Sequence, residues 1–357
     1  MAIRLYDNKI EFDDGSGNIY TLTETSSGFD FVGVLTSEKF YSLAQGSNYG
    51  FVSGGFGTPG PAVNSRDRFS FASSGVSVEP YGLLGSEYVP NFGGNVTNAP
   101  RGAAAGQSSS SFGYTSGGIW PLGTPFIFNA IDRFPFAASA NGTNIGDLIT
   151  ARYHSAGHSS TVSGYTSGGK LSNNAEDDTI DKFPFSTESN ATDVGNLFQG
   201  RYGVAGISSG ENGYTTGGTK PPLSPNILNT IERFSFSSDG NGTDTADLSS
   251  SRRYLAGHSS FTHGYNSGGE TSPGVTSAII DKFPFSINSS STSVGNLTIS
   301  RKDVTGHSST MSGYTVSGTL SNANNNTIEK FPFSTDSGSS DIGDLASAAS
   351  NRAGQQY

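Results

Sequence analysis

The chain has 357 residues, of which 49 are Gly, 14% are charged and 33% are hydrophobic. Gly in a helix interior costs about 1 kcal/mol relative to Ala, so helix is disfavoured almost throughout, while 24 Phe and 15 Tyr are too many for a low-complexity disordered chain. The net charge of -10 without any Lys/Arg cluster excludes a phosphate-binding stripe and hence nucleic acid, and the lack of Cys excludes disulfides, thiolate metal sites and Cys nucleophiles.

Residues 1–41 alternate polar and apolar side chains in Ile3-Arg4-Leu5-Tyr6, Ile10-Glu11-Phe12 and Ile19-Tyr20-Thr21-Leu22, with turn-like Asp7-Asn8-Lys9 and Asp13-Asp14-Gly15-Ser16-Gly17-Asn18 between them. This predicts a small β-meander, serving either as an attachment device or as a lid. No apolar stretch there is long enough for a signal peptide or a membrane span, so no membrane insertion is expected.

From residue 42 onward the chain is repetitive. Gly113-Tyr114-Thr115-Ser116-Gly117-Gly118 recurs at 164–169, 213–218 and 264–269, with degenerate copies at 50–55 and 313–318. Each copy is followed by an acid-base-Phe-x-Phe block, such as Ile131-Asp132-Arg133-Phe134-Pro135-Phe136, and then by a segment ending in Leu that leads to an Arg. From the Arg at 101, 152, 201, 252 and 301 to the first residue of the Gly doublet the step is always 16. From the second Phe at 136, 185, 236 and 285 to the next Arg it is again 16. Length varies only after the doublet, so that segment is predicted to be a surface loop and the constant spans to be paired strands.

Each unit of about 50 residues holds four strand-sized pieces, here called a to d, and is too short to bury a core alone. The doublet closing strand b, the aromatic strand c near Pro and the Arg before strand a resemble the kelch repeat. The resemblance implies one four-stranded blade of a β-propeller per repeat. A departure is that kelch units usually carry a Trp after strand c, whereas this chain has one Trp and uses a smaller Val/Ile-Gly-Asp/Asn-Leu plug. Six doublets predict an all-β fold: a six-bladed kelch-type propeller over 42–357 with the N-terminal meander appended. Counting 16 beyond Phe333 reaches Ala349 and places Ala353-Gly354-Gln355 in strand a of the first blade, so the C-terminal strand is expected to close the ring, with residues 42–49 as the alternative. A step of 30 from Phe71 to Arg101 places a 14-residue insertion within 72–100.

The recurring acids Asp132, Asp181, Glu232, Asp281 and Glu329 are expected to pair, buried, with Arg101, Arg152, Arg201, Arg252 and Arg301 between strands or blades, a structural role. His158, His258 and His307 share a position that is Gln107, Ile207 and Gln355 elsewhere; an Ile there favours packing over chemistry. His154 and His263 read as surface residues. The loop at 119–130 is unusually aromatic, and Trp120, Phe126 and Phe128 are the candidate binding residues, for a partner, a neighbouring subunit or the meander. The remaining loops, 170–179, 219–230, 270–279 and 319–327, are rich in Ser, Thr and Asn, which suits sugars and also an ordinary hydrated surface.

Among propeller enzymes, the copper oxidase branch needs a Tyr crosslinked to Cys, and sialidase-like propellers carry Ser-x-Asp-x-Gly-x-Thr-Trp boxes; neither occurs here, nor does HExxH, GxSxG or a phosphate loop. No catalytic residue, metal or cofactor is expected. The near-identical units further resemble kelch-type proteins encoded by marine tailed bacteriophages. That resemblance implies a virion structural protein, assembled in the host cytoplasm, with roles from tail fibre to capsid decoration. Residues 1–41 would then hold it to other virion proteins, and the loops would contact a host-surface glycan or protein. A lectin-like or adaptor module of cellular origin is the alternative.

Overall fold

A computed structural model describes residues 46, 48–57, 66–72, 100–121, 125–138, 140–220 and 226–356 with their side chains, and the backbone of 2–5, 9–13, 19–25, 28–32, 65 and 76–82. Two compact units are present, Met1–Tyr41 and Ser42–Tyr357. In the first, strands Ala2–Leu5, Lys9–Asp13, Ile19–Thr25 and Gly28–Val32 pair in chain order as an antiparallel meander. The last of these, around Phe29-Asp30-Phe31, adds a fourth strand to the three legible as alternating segments.

The second unit is a six-bladed β-propeller. In blade 3 strands a to d are Ala156–Ser159, Ser163–Lys170, Glu176–Pro184 and Thr192–Asn196, paired in that order. Blades 2, 4, 5 and 6 repeat this with strands a at Ala105–Ser108, Ala205–Ser208, Ala256–Ser259 and Thr305–Ser308. Blade 1 takes strands b, c and d from Tyr49–Ser53, Ser65–Ser70 and Val76–Gly82, and strand a from Ala353–Gln356, with Gln355 opposite Phe51. Strands a are innermost, each against the next, and the C-terminal one lies between those of blades 6 and 2. Strand d of blade 1 ends at Gly82, eleven residues after Phe71, just as Asp147 lies eleven after Phe136. The insertion therefore falls beyond Gly82 and before Pro100, outside the described residues.

Aromatic side chains of strands b and c fill the spaces between blades. Tyr114, Tyr165, Tyr214, Tyr265 and Tyr314 each stack on the second Phe of the next blade at centroid distances of 4.7 to 5.1 Å, and Phe51 does the same on Phe136 at 5.0 Å. The Gly that opens each strand b makes room for the first Phe: a Cβ on Gly164 would lie 2.3 Å from the Phe183 ring. The doublet that closes strand b has positive φ at both residues, 62° and 121° at Gly168 and Gly169, a turn that Gly makes without a Cβ clash.

The repeat Arg braces each blade from within. Its guanidinium meets the strand c acid at 2.6 Å for Arg101–Asp132, 3.1 Å for Arg152–Asp181, 3.0 Å for Arg201–Glu232, 2.5 Å for Arg252–Asp281 and 3.1 Å for Arg301–Glu329. All ten side chains are at most 2% exposed. The same acids also accept a backbone N–H from the end of the preceding blade: Ile149 donates to Asp181, Phe198 to Glu232, Ser249 to Asp281 and Thr298 to Glu329. Each acid thus ties the strand-d end of one blade to the frame of the next. Burial raises the Asp132, Asp181 and Glu232 carboxyls, opposed by their Arg partners.

Blade 1 has a sixth brace that the repeat count does not place. Ala349 stands at the Arg position, and the guanidinium comes instead from Arg352, three residues further on, whose Nη1 lies 2.6 Å from Asp67. Arg66 occupies the site that is Ile in the other blades; its guanidinium lies 4.3 Å from the centre of the Phe134 ring.

Candidate binding face at the mouth of the channel

The inner strands read Ala/Thr-Gly-x-Ser, with Gln356 replacing the Ser in blade 1, and this pattern builds the axis of the propeller. Adjacent inner strands approach so closely at the Gly that a Cβ on Gly206 would lie 2.1 Å from the Gly157 carbonyl oxygen. The next side chain turns between blades. His158 Nδ1 lies 3.2 Å from the Ile207 carbonyl and Nε2 lies 2.9 Å from Ser167 Oγ; His258 repeats this, and His307 Nε2 lies 2.7 Å from the Phe51 carbonyl. Burial holds all three imidazoles neutral, with pKa values pushed down to about 4, 3 and 4 for His158, His258 and His307.

The following residues close a ring around the axis. Ser108 N–H donates to Ser159 Oγ, Ser159 to Ser208, Ser208 to Ser259, Ser259 to Ser308, Ser308 to Gln356 Oε1, and Gln356 to Ser108, at 2.8 to 3.3 Å. Gln356 stands in for the sixth Ser. The channel they line has a volume of about 70 Å³, room for a few waters.

A second ring closes the opposite end, where strand d of one blade passes into strand a of the next. His154 N–H donates to the Ala103 carbonyl, Gly203 to His154, Tyr254 to Gly203, Asp303 to Tyr254, Asn351 to Asp303 and Ala103 to Asn351, at 2.7 to 3.0 Å. All six residues have φ between 53° and 68°, in the left-handed region. The residue before each one pairs with the start of the loop after a Gly doublet: Gly102 with Ile119, Tyr153 with Lys170, Tyr202 with Thr219, Arg253 with Glu270, Lys302 with Thr319 and Ser350 with Phe56. The length-variable loops therefore rise around this mouth. Several are short β-hairpins, such as Glu270–Ser272 with Val275–Thr276.

Backbone geometry at the mouth is six times the same, yet no two of its residue pairs are alike: Gly102-Ala103, Tyr153-His154, Tyr202-Gly203, Arg253-Tyr254, Lys302-Asp303 and Ser350-Asn351. On the side of blades 3 to 5 they form an aromatic wall. The His154 ring lies 5.1 Å from Tyr153, 6.4 Å from Tyr202 and 5.0 Å from Tyr254, centre to centre, and Tyr254 lies across Gly203, where a Cβ would be 2.9 Å from its ring. Cations flank the wall, Lys170 at 5.0 Å from the centre of Tyr202 and Arg253 at 5.2 Å from Tyr254. Glu270, buried, takes both Arg253 Nε at 2.8 Å and Lys302 Nζ at 2.7 Å. His154 is neutral, its pKa driven to about 3 by burial and then by Lys170 and Arg253, and burial raises the Asp303 carboxyl and the Tyr254 phenol.

Placement of the expected site residues is mixed. Trp120 and Phe126 face one another across the hairpin of Ile119–Trp120 and Phe126–Ile127, on the mouth face, with Phe126 44% exposed. Phe128 is turned inward at 3% exposure, 5.3 Å from the Arg101 guanidinium, and offers nothing to a partner. His154 belongs to the mouth ring, half-buried, and is not a plain surface residue. His263 lies half-buried at the start of strand b, Nδ1 2.8 Å from Thr262 Oγ1. The mouth residues escaped the sequence reading because it followed what recurs. Their signal was the variable pair that directly follows the repeat Arg, itself four positions ahead of the last residue before an invariant Gly, in every blade but blade 1, where Ala349 holds the Arg position. Among the described residues no group of three His, Asp or Glu is placed to hold a metal ion.

No protein-family model matches the chain, and no curated protein matches it either.

Three buried histidines and the half-buried His154, all with lowered pKa values, set a pH dependence. Each binds a proton in the unfolded chain near pH 6.5 but in the fold only near pH 3 to 4, so stability is full above pH 6.5 and falls as pH drops toward 4. The raised carboxyls act with the opposite sign, at pH values near and above their unfolded pKa of about 4. Gln107 shows how to remove one such His, since its Nε2 donates to Ser116 Oγ at 2.8 Å and Thr166 Oγ1 at 2.9 Å, where His158 Nε2 meets Ser167 and Thr215. His258→Gln is expected to lower the proton uptake on unfolding near pH 5 by about one, flattening the slope by roughly 1.4 kcal/mol per pH unit. Melting temperatures from pH 7 to 4.5 check this; parallel curves for the two proteins would refute it.

Proposed function

We propose that the chain is a non-enzymatic structural protein of a phage particle, displayed on the virion as a tail-fibre, tail-associated or capsid-decoration component. Residues 1–41 hold it to other virion proteins, and the mouth face makes the outward contact with the host surface. One observation carries the reading: the near-identical blades differ in loop length only at the mouth, where the ring residues also vary, while the a-to-b turns at the other end vary in residue type at constant length. A scaffold that varies its loop lengths on one face is built to present that face. The kelch-like blocks and their resemblance to marine phage proteins supply the particle context. Gly46, the first described residue of the propeller, donates its N–H to the Ser308 carbonyl at the end away from the mouth.

Mass spectrometry and electron cryo-microscopy of purified particles test this. The expected result is the chain at stoichiometric copy number, with six-bladed density joined through residues 1–41. A chain absent from particles and recovered instead from a cell surface or cytoplasm would favour a cellular lectin-like or adaptor module.

A further inference from the structure

Resting on the reading of the mouth as a contact face, we propose that its blade 3 to 5 side is a binding site for an acidic saccharide, a sugar ring carrying a carboxylate. In the wall Tyr153, His154 and Tyr254 are half-buried over a buried Tyr202, and they offer aromatic surface with polar edges, on which the apolar C–H face of a pyranose stacks while its hydroxyls stay hydrogen-bonded. Neutral His154 and the neighbouring Asp303 supply hydrogen-bonding groups for those hydroxyls.

The charge pattern selects an anion. Glu270 is already occupied by Arg253 and Lys302, whereas Lys170 has no carboxylate partner among the described residues and sits over Tyr202 at the edge of the wall. On a chain of net charge -10 this is a local concentration of cations with one ammonium left to engage a carboxylate. A nucleic acid would need a stripe of such cations. An acidic peptide would use Lys170 but not three tyrosine rings gathered around one His.

The ring itself provides substitutions that fold. Ala103 holds the left-handed position that Tyr254 holds, and Thr219 and Thr319 stand where Lys170 stands, so Tyr254→Ala and Lys170→Thr keep the backbone of a sister blade. The experiment is calorimetric titration of the full chain with trigalacturonate, maltotriose and hexaglutamate. Trigalacturonate is expected to bind saturably, at least about tenfold tighter than either control. Lys170→Thr should abolish its advantage over maltotriose at unchanged melting temperature, and Tyr254→Ala should weaken it about tenfold in a chain that still unfolds cooperatively. The proposal is overturned if trigalacturonate does not bind at millimolar concentration, if hexaglutamate binds as well, or if neither variant alters binding. Each of those results leaves the virion reading standing, and absence of the chain from particles leaves this one standing.

Discussion

Replacing Arg201 with Ala is expected to lower stability by about 3 to 5 kcal/mol, the usual effect of stranding one member of a buried ion pair. Arg201 and Glu232 are both fully buried, and the guanidinium also donates to the Thr215 and Gly217 carbonyls. Without it, Glu232 keeps the Phe198 N–H at 2.7 Å as its support at the blade junction. Adding Glu232→Gln should recover part of the loss by removing the orphaned charge. Because burial already raises the Glu232 carboxyl, the deficit of Arg201→Ala should shrink as pH falls and that carboxyl protonates. Thermal unfolding by circular dichroism measures all of these, and an unchanged melting temperature for Arg201→Ala would refute the brace.

Removing residues 351–357 should have a larger effect still. It deletes the inner strand of blade 1, the Arg352–Asp67 pair and the Gln355 Nε2 bonds to Ser53, Tyr114 and Thr115, and it opens both hydrogen-bonded rings. Asp67, 1% exposed, would lose its guanidinium, and strand Tyr49–Ser53 would expose an unpaired edge. The expected product aggregates or melts well below the intact chain, and adding a peptide of residues 349–357 in excess should restore part of the melting temperature by mass action. A truncated chain that melts with the intact one would show that closure contributes nothing.

The parts legible in the sequence are those that symmetry repeats. A step of 16 from Arg to Gly doublet fixes where a d-to-a connection must return to the end of strand b, and so revealed both the blades and their Arg braces. The Arg352 brace was hidden because a side chain can reach one site from two backbone positions. Ala349 holds the place in the count and Arg352 reaches Asp67 from three residues on. Phe128 misled because aromatic density in a loop is blind to which ring faces inward. The mouth was hidden for the opposite reason to Arg352, since its positions are constant in backbone and variable in chemistry. His154, set aside as a singular residue, is one of six equivalents whose likeness is in φ and a shared hydrogen bond.

Six nearly alike joints create a risk that unlike joints would not. A folding chain could skip a blade and close too early, or borrow an inner strand from a second molecule. The displaced arginine makes the closing joint unlike the other five. Any inner strand from blades 2 to 6 that docked beside Tyr49–Ser53 would bring Ala104, Ser155, Val204, Leu255 or Val304 to the place of Arg352 and its own repeat Arg to the place of Ala349, so Asp67 would be met from the other backbone position. Among the six inner strands only Ala353–Gln356 has its guanidinium on the residue directly before it, so the closing joint is marked by where its arginine starts and not by whether Asp67 has one.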